Sequence, residues 1–210
     1  MSRCTCQAHH PRRRIVLTGG PGAGKTAVLE LIRRCLCCHV QVLPEAAGIV
    51  FGGGFPRVAR PEFQRAAQRA IFHVQREIEC AFESNDTAAM ICDRGTIDGV
   101  AYWVGEVDLL ASVGTSLEDE LKRYDAVIHL RTPGLADGYN HQNPLRIESA
   151  VEAAAIDERI AQAWANHPRL FTVEATPDFL TKASRVISLI RAELPECCEH
   201  GSPEAERTAA

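Results

Sequence analysis

A glycine-rich segment carries the clearest chemical signal in the sequence. Residues 19–26 read GGPGAGKT, which matches the GxxxxGKS/T pattern in full. Small residues let backbone amides curl around phosphate oxygens, the lysine charge reaches the β- and γ-phosphates, and the hydroxyl that follows it can ligate Mg²⁺. The segment lies between a predicted strand and a predicted helix, which favours this chemistry over a glycine-rich turn that binds nothing. The predicted phosphate-binding residues are Gly19, Gly20, Pro21, Gly22, Ala23, Gly24, Lys25, Thr26 and Ala27.

A carboxylate at the end of an apolar strand is the second chemical signal. Residues 90–93 read MICD, so Asp93 closes a predicted strand at the edge of a parallel sheet where ligands bind. Asp93 and Thr26 are expected to hold Mg²⁺, directly or through water; a helix-capping aspartate is the alternative. The guanidinium of Arg94 suits anionic groups, unless Arg94 is a plain surface arginine.

Short apolar strands alternate with amphipathic helices and must position these residues. Apolar, β-branched runs predict strands at 12–19, 39–43, 87–92, 125–130 and 170–173. Helices are predicted over 25–37, 61–83, 148–166 and 177–193, with short helical pieces within 96–123 and loops at 48–60 and 132–147. The alternation is typical of an α/β fold in which helices cover both faces of a parallel sheet.

Composition limits the class of protein. Hydrophobic residues make up 46% and charged residues 24%, which is ordinary for a globular chain. The net charge of −4 argues against nucleic-acid binding by bulk charge. No apolar run is long enough for a transmembrane helix and no secretion signal is recognisable, so a cytoplasmic location is expected. The nine cysteines then predict free thiols; the cysteine–histidine groups at 4–10, 35–39 and 197–200 leave a zinc site open as the lesser alternative.

The two ends of the chain differ in charge from its middle. Residues 1–14 carry four arginines and no acid, and residues 193–210 carry five glutamates and one arginine. Neither end shows an apolar periodicity that could be buried. The expected organisation is a tail over 1–12, one domain over 13–194 and a tail over 195–210.

Removal of both tails is the first test of this organisation. A chain of residues 12–195 is expected to keep the melting temperature and the nucleotide affinity of the full chain, because no buried surface is removed. Thermal denaturation and a nucleotide titration measure the two quantities. A large loss of either would instead place a tail in the core or in a metal site.

Three stretches taken together are more specific than the phosphate loop alone. They read LTGGPGAGKTAVLE at 17–30, VLPEAAG at 42–48 and CDRGTIDGVAYW at 92–103. Over roughly residues 13–190 the chain resembles the small AAA-type ATPases, which are similar to the kinase domain of nicotinamide riboside kinases and, more distantly, to deoxynucleoside and thymidylate kinases. The resemblance implies a three-layer, kinase-type P-loop NTPase fold with a five-stranded parallel sheet in the order 2-3-1-4-5.

The resemblance also suggests roles for three further residues. Glu45 stands where deoxynucleoside kinases have a glutamate that takes the proton of the acceptor hydroxyl; a glutamate that stabilises a helix start is an equal alternative. In similar kinases, arginines of a lid close on the phosphates, which implies this role for Arg131 and Arg146. Arg146 could instead pair with Glu148 or Glu152.

Asp98, Tyr102 and the glycines at 52–54 each allow two roles. Asp98 and Tyr102 could contact an acceptor, although residues at such positions more often fix a helix onto the sheet. The three glycines form either a hinge for an acceptor-binding segment or a plain flexible loop.

Two functions are compatible with these features. The first is a Mg·ATP-dependent kinase of a small hydroxylated, nucleoside-like acceptor, favoured by the PEAA and DRG stretches. The second is a regulatory protein that binds ATP or GTP and hydrolyses it slowly, favoured by a loop at 132–147 with few basic residues. The acceptor, the choice between ATP and GTP and the formation of a homodimer are left open. The predicted catalytic residues are Lys25, Glu45, Asp93, Arg94, Arg131 and Arg146.

Overall fold

A computed structural model gives the architecture, and it describes residues 10–37, 39–83, 87–133, 150–176 and 178–195. The strands are Arg13–Thr18 (β1), Val40–Leu43 (β2), Ala89–Asp93 (β3), Ala126–Leu130 (β4) and Leu170–Val173 (β5). The helices are Lys25–Cys35 (α1), Ala46–Gly52 (α2), Pro61–Phe82 (α3), Leu109–Ser112 (α4), Leu117–Leu121 (α5), Ala150–Trp164 (α6) and Phe179–Arg191 (α7), with a 3₁₀ helix at Thr96–Tyr102.

The five strands form one parallel sheet in the order β2-β3-β1-β4-β5. This confirms the predicted α/β fold and strand order. The central strand β1 is flanked by β3 and β4, and Leu17 lies opposite Asp93 in the β1–β3 register. Because all strands run the same way, the phosphate loop after β1 and Asp93 at the end of β3 share the carboxyl edge of the sheet.

Each face of the sheet is covered by a separate apolar layer. Leu17 packs in one layer with Ile32 of α1 and Val186 of α7. The next residue back along the strand, Val16, points to the other face and packs with Trp164 of α6. All of these side chains are essentially inaccessible to solvent. The alternation along β1 therefore produces the three-layer arrangement that the strand pattern predicts.

The short helix α2 corrects one prediction. The glycine-rich segment 48–60 was expected to be a loop, but the first five residues of it continue a helix that begins at Ala46. The glycines end the helix: Gly53 follows the last helical residue, and Gly54 has a φ of +94°, which few other residues adopt. Helix-favouring alanines at its start outweigh the glycines downstream.

The 3₁₀ helix after β3 is tied to helices α3 and α5 by buried polar groups. The hydroxyl of Thr96 donates to Glu120 at 2.7 Å, and its backbone N–H donates to the hydroxyl of Tyr124 at 2.9 Å. Tyr124 in turn donates to the fully buried Glu79 of α3 at 2.9 Å. A satisfied buried network of this kind fixes the segment that follows Asp93 and Arg94.

Two features have a bearing on the class of protein. Within the described ranges, no helix has the length and apolar character needed to cross a bilayer. The described cysteines, Cys35, Cys37, Cys80 and Cys92, carry free thiols. The groups at 4–10, 35–39 and 197–200 lie wholly or partly outside the described residues, so the zinc alternative is not tested by them.

Candidate active site

Residues 19–24 of the phosphate loop connect β1 directly to α1. Gly24 has a φ of +92°, a backbone conformation that side chains rarely adopt, and α1 begins at the next residue. At Gly19, a Cβ atom would lie 2.1 Å from the carbonyl oxygen of Leu130, so β4 approaches the loop too closely for any side chain. The free N–H groups at the start of α1 are thus available to an anion bound in the loop.

Lys25 is buried within the loop and only 8% exposed. Its ammonium donates to the carbonyl oxygens of Gly19 at 2.7 Å and of Gly20 at 3.0 Å. An ammonium has three N–H donors, so one remains for a phosphate oxygen. Burial, and after it the charge of Arg94, lowers the pKa of Lys25. A phosphate beside the ammonium would act in the opposite direction by favouring the charged form.

Asp93 fits the role of a cation ligand. Its carboxylate accepts no hydrogen bond from the residues that the structure describes. Burial raises the pKa of Asp93, and the charge of Lys25 opposes this shift. A half-buried carboxylate without a protein donor is well suited to a divalent cation. Thr26 stands in the first turn of α1 with an exposed side chain. Mg²⁺ commonly keeps only one or two protein ligands beside phosphates and waters, and these two residues could supply them.

Glu45 and Arg94 form an ion pair at the same edge. The Nε atom of Arg94 donates to Glu45 Oε1 at 2.7 Å, and its guanidinium lies 5.7 Å from the ring centre of Tyr102. Although burial opposes its charge, Tyr102, Asp98 and Glu45 raise the pKa of Arg94. Arg94 also has a φ of +71°, which is unusual for a residue with a side chain. Strained backbone at a ligand edge supports a functional role for this arginine.

Glu45 occupies the N-cap position of α2, but its carboxylate does not cap the helix. The carboxylate turns to Arg94 instead, and its side chain remains 37% exposed. Glu45 therefore stands at the start of a helix, as the alternative predicted, but its side chain does not stabilise that helix start. Its charge acts on both Lys25 and Asp93, so Glu45 lies within electrostatic range of the phosphate loop.

Asp98 acts as an anchor. Its buried carboxylate accepts hydrogen bonds from the hydroxyl of Thr18, from the backbone N–H of Gly95 at 2.9 Å and from the indole of Trp164 at 3.1 Å. Arg94 Nη1 lies 3.3 Å from the same carboxylate. With its oxygens occupied in this way, Asp98 fixes the 3₁₀ helix to the sheet, in agreement with the structural alternative.

Arg131 follows β4 on the other side of the phosphate loop. Its guanidinium pairs with Asp157 at 3.2 Å and with the exposed Glu158 at 3.1 Å, both on α6. The second predicted arginine, Arg146, lies outside the described residues. Four of the six predicted catalytic residues therefore lie within electrostatic range of one another on the β3 side of the loop, namely Lys25, Glu45, Asp93 and Arg94. Arg131 lies on the β4 side.

Two buried residues that contact the loop escaped prediction. Lys182 of α7 donates to the carbonyl oxygens of Ala23 at 3.0 Å and of Arg131 at 2.7 Å. Asp157 of α6 accepts the backbone N–H of Gly20 at 2.8 Å. Only Lys182 could have been noticed in the sequence, because lysine is rare in this chain and occurs at three positions. Asp157 lies within an alanine-rich helix, where nothing distinguishes it from a solvated residue.

Replacement of Lys182 tests its contact with the loop. Lys182→Met keeps the aliphatic stem but leaves one buried and one partly buried carbonyl without their donor, which costs about 1–3 kcal/mol. We expect a lower melting temperature and a several-fold weaker nucleotide affinity. Lys122→Met is the matched control, since Lys122 is exposed and pairs with Glu118 at the surface. If the two variants behaved alike, Lys182 would not be supporting the loop.

Comparison with known proteins agrees with this fold. The family model described as AAA domain matches residues 14–180, so the chain belongs to this family. A search of curated proteins finds no match. Among solved structures, a deoxyadenosine kinase from M. mycoides with bound dATP has a TM-score of 0.55 at 13% identity, and the match covers 85% of this chain and 99% of that one.

A second solved structure is similar over part of its length. NadR protein in complex with NR has a TM-score of 0.66 at 14% identity, and the match covers 87% of this chain. The chain spans about half of NadR, since the match covers 52% of that protein. Identities this low show the shared fold, which is that of the kinase-type P-loop NTPases.

Proposed function

We propose that this AAA domain protein is a Mg²⁺-dependent phosphotransferase. It would transfer the γ-phosphoryl group of ATP to a hydroxyl group of a small, nucleoside-like acceptor. The observation that carries the proposal is the 2.7 Å ion pair between Arg94 and Glu45, which lies within electrostatic range of Lys25 and Asp93 at the carboxyl edge of the sheet. A carboxylate held by an arginine beside the phosphate loop is suited to take the proton of an acceptor hydroxyl.

The phosphate loop would hold the nucleotide. The amides at the start of α1 and the ammonium of Lys25 would bind the β- and γ-phosphates, while Thr26 and Asp93 would hold Mg²⁺. The bound cation supplies charge neutralisation at the transferring phosphoryl group. This arrangement is common to ATP and GTP, so the choice between them depends on contacts with the base.

Glu45 would act on the acceptor. The acceptor hydroxyl gives its proton to the Glu45 carboxylate as its oxygen forms the new bond to the γ-phosphorus, and the bond from that phosphorus to the leaving diphosphate breaks. Arg94 keeps the Glu45 carboxylate directed toward the site through the 2.7 Å hydrogen bond. Arg131, and Arg146 by resemblance, would offset the negative charge of the transferring group.

The comparisons support a nucleoside-like acceptor without identifying it. One similar structure is named as a deoxyadenosine kinase, and the other was solved with NR. Both share the fold of this chain over more than four-fifths of its length. Deoxyadenosine and NR are therefore the first acceptors to test.

A screen of acceptors tests the proposal. The purified chain is incubated with Mg²⁺, ATP or GTP and a panel of nucleosides, and release of nucleoside diphosphate is followed with and without each acceptor. Release that depends on an acceptor, with the matching phosphorylated product, supports the kinase. Slow Mg²⁺-dependent hydrolysis that no acceptor accelerates would instead support the regulatory NTPase.

A further inference from the structure

Asp157 joins helix α6 to the phosphate loop and to β4. The residue is 2% exposed, and no recognised motif includes it. Its carboxylate accepts the N–H of Gly20 at 2.8 Å, lies 3.0 Å from Nε2 of His129 and pairs with Arg131 at 3.2 Å. Three groups from the loop and from β4 therefore converge on one buried carboxylate.

The two carboxylate oxygens of Asp157 have separate partners. Oδ1 faces the Gly20 N–H and the His129 ring, whereas Oδ2 faces Nη1 of Arg131. Burial opposes the charge, but the hydrogen bonds from His129 and Gly20, together with the charge of Arg131, hold the pKa of Asp157 below its ordinary value. An ionised carboxylate can only accept, so Nε2 of His129 donates to it.

The contact between α6 and the loop leaves no space for a side chain. A Cβ atom on Gly20 would lie 2.7 Å from Cβ of Asp157 and 2.5 Å from the hydroxyl oxygen of Thr132. Gly20 therefore packs directly against α6. The neighbouring Glu158 differs, because its side chain is 55% exposed where it pairs with Arg131, and it also accepts a hydrogen bond from Gln162 at 3.5 Å.

We infer that Asp157 is a positioning residue that fixes the start of the phosphate loop through one oxygen and aims Arg131 at the phosphates through the other. The inference about Arg131 rests on the proposed phosphotransfer. A guanidinium has five N–H donors, so Arg131 can keep this pairing and still contact a phosphate. Fixing it in advance avoids the cost of ordering a long side chain during the reaction.

Asp157→Asn separates the two tasks. The amide oxygen of asparagine can still accept the Gly20 N–H, but its NH₂ group would face the donors of Arg131. We expect unchanged nucleotide affinity and a turnover number lower on the order of 10-fold, as for other small misplacements of a catalytic group. Asp157→Ala removes both contacts and should weaken nucleotide binding as well. Glu158→Gln, the matched change at an exposed partner, should lower turnover by less than about threefold.

A double-mutant cycle with Arg131→Met decides whether Asp157 acts through Arg131. If it does, Asp157→Asn lowers turnover in the wild-type chain but has little further effect in the Arg131→Met background. An equal loss in both backgrounds, or wild-type turnover in Asp157→Asn, would overturn the inference. Melting temperatures show that each variant is folded.

The assay keeps this inference distinct from the proposed function. Turnover is measured both as acceptor phosphorylation and as Mg²⁺-dependent ATP hydrolysis. If no acceptor is found, the kinase proposal fails, while hydrolysis and nucleotide affinity still report on Asp157. Conversely, an active kinase in which Asp157→Asn has wild-type turnover would contradict only the role of Asp157.

Discussion

Lys25→Met is expected to lower turnover by a factor on the order of 10²–10³, since the ammonium lies within the phosphate loop and would neutralise charge on the transferring group. Nucleotide affinity should also fall, by at least about tenfold, because the ammonium contacts the nucleotide before as well as during transfer. Methionine keeps most of the volume of the buried stem, so the fold should survive. Calorimetric titration with the nucleotide and a turnover assay measure the two effects.

Lys122→Met is again the control for a lost lysine charge. Lys122 lies at the end of α5 and pairs with Glu118 at the surface, so its removal should change neither quantity. Circular dichroism and a melting curve show whether Lys25→Met is folded. A folded Lys25→Met chain with wild-type nucleotide affinity would contradict the assignment of residues 19–26 as a phosphate-binding loop.

The elements that are set by local pattern could be predicted from the sequence. The strand at 170–173 and the helix beginning at Pro61 have the predicted bounds or nearly so, because an apolar run and a proline at a helix start act locally. Helix α2 was missed because three glycines dominate the composition of its segment. The strand order could not be read from any single segment and came from the resemblance.

Only those site residues could be predicted that end a strand or belong to a sequence motif. Lys25 and Asp93 satisfy this condition, and the structure brings them together with Glu45 and Arg94, although their roles are still predictions. Asp157 could not be predicted, since its importance depends on how closely α6 packs against Gly20. Such contacts join residues that are far apart in the chain, and no spacing rule records them.

Residues that could be predicted and residues that could not lie on different sides of the phosphate loop. Residues on the β3 side, such as Asp93 and Arg94, follow a strand end and can be recognised from their position. Residues on the β4 side, such as Asp157 and Lys182, hold the loop backbone from helices that cover the sheet. The chemistry proposed here requires Asp93 to contact the bound cation and Arg94 to orient Glu45, whereas Asp157 and Lys182 keep the loop in place.

Asp93→Asn is expected to lower turnover by a factor on the order of 10² or more. Asparagine keeps the size of the side chain but removes the negative charge that a divalent cation requires. Nucleotide affinity should fall less, because the loop amides and Lys25 still hold the phosphates. A titration of turnover against Mg²⁺ should show that the variant needs a higher metal concentration than the wild type.

Glu45→Gln gives the contrasting result. A general base contributes roughly 10²–10⁴-fold, so acceptor phosphorylation should slow by this amount, while Mg²⁺ dependence and nucleotide affinity stay as in the wild type. Glutamine can still accept the hydrogen bond of Arg94, which preserves the local structure. Wild-type acceptor turnover in Glu45→Gln would exclude Glu45 as the base. An unchanged Mg²⁺ requirement in Asp93→Asn would remove Asp93 from the metal site.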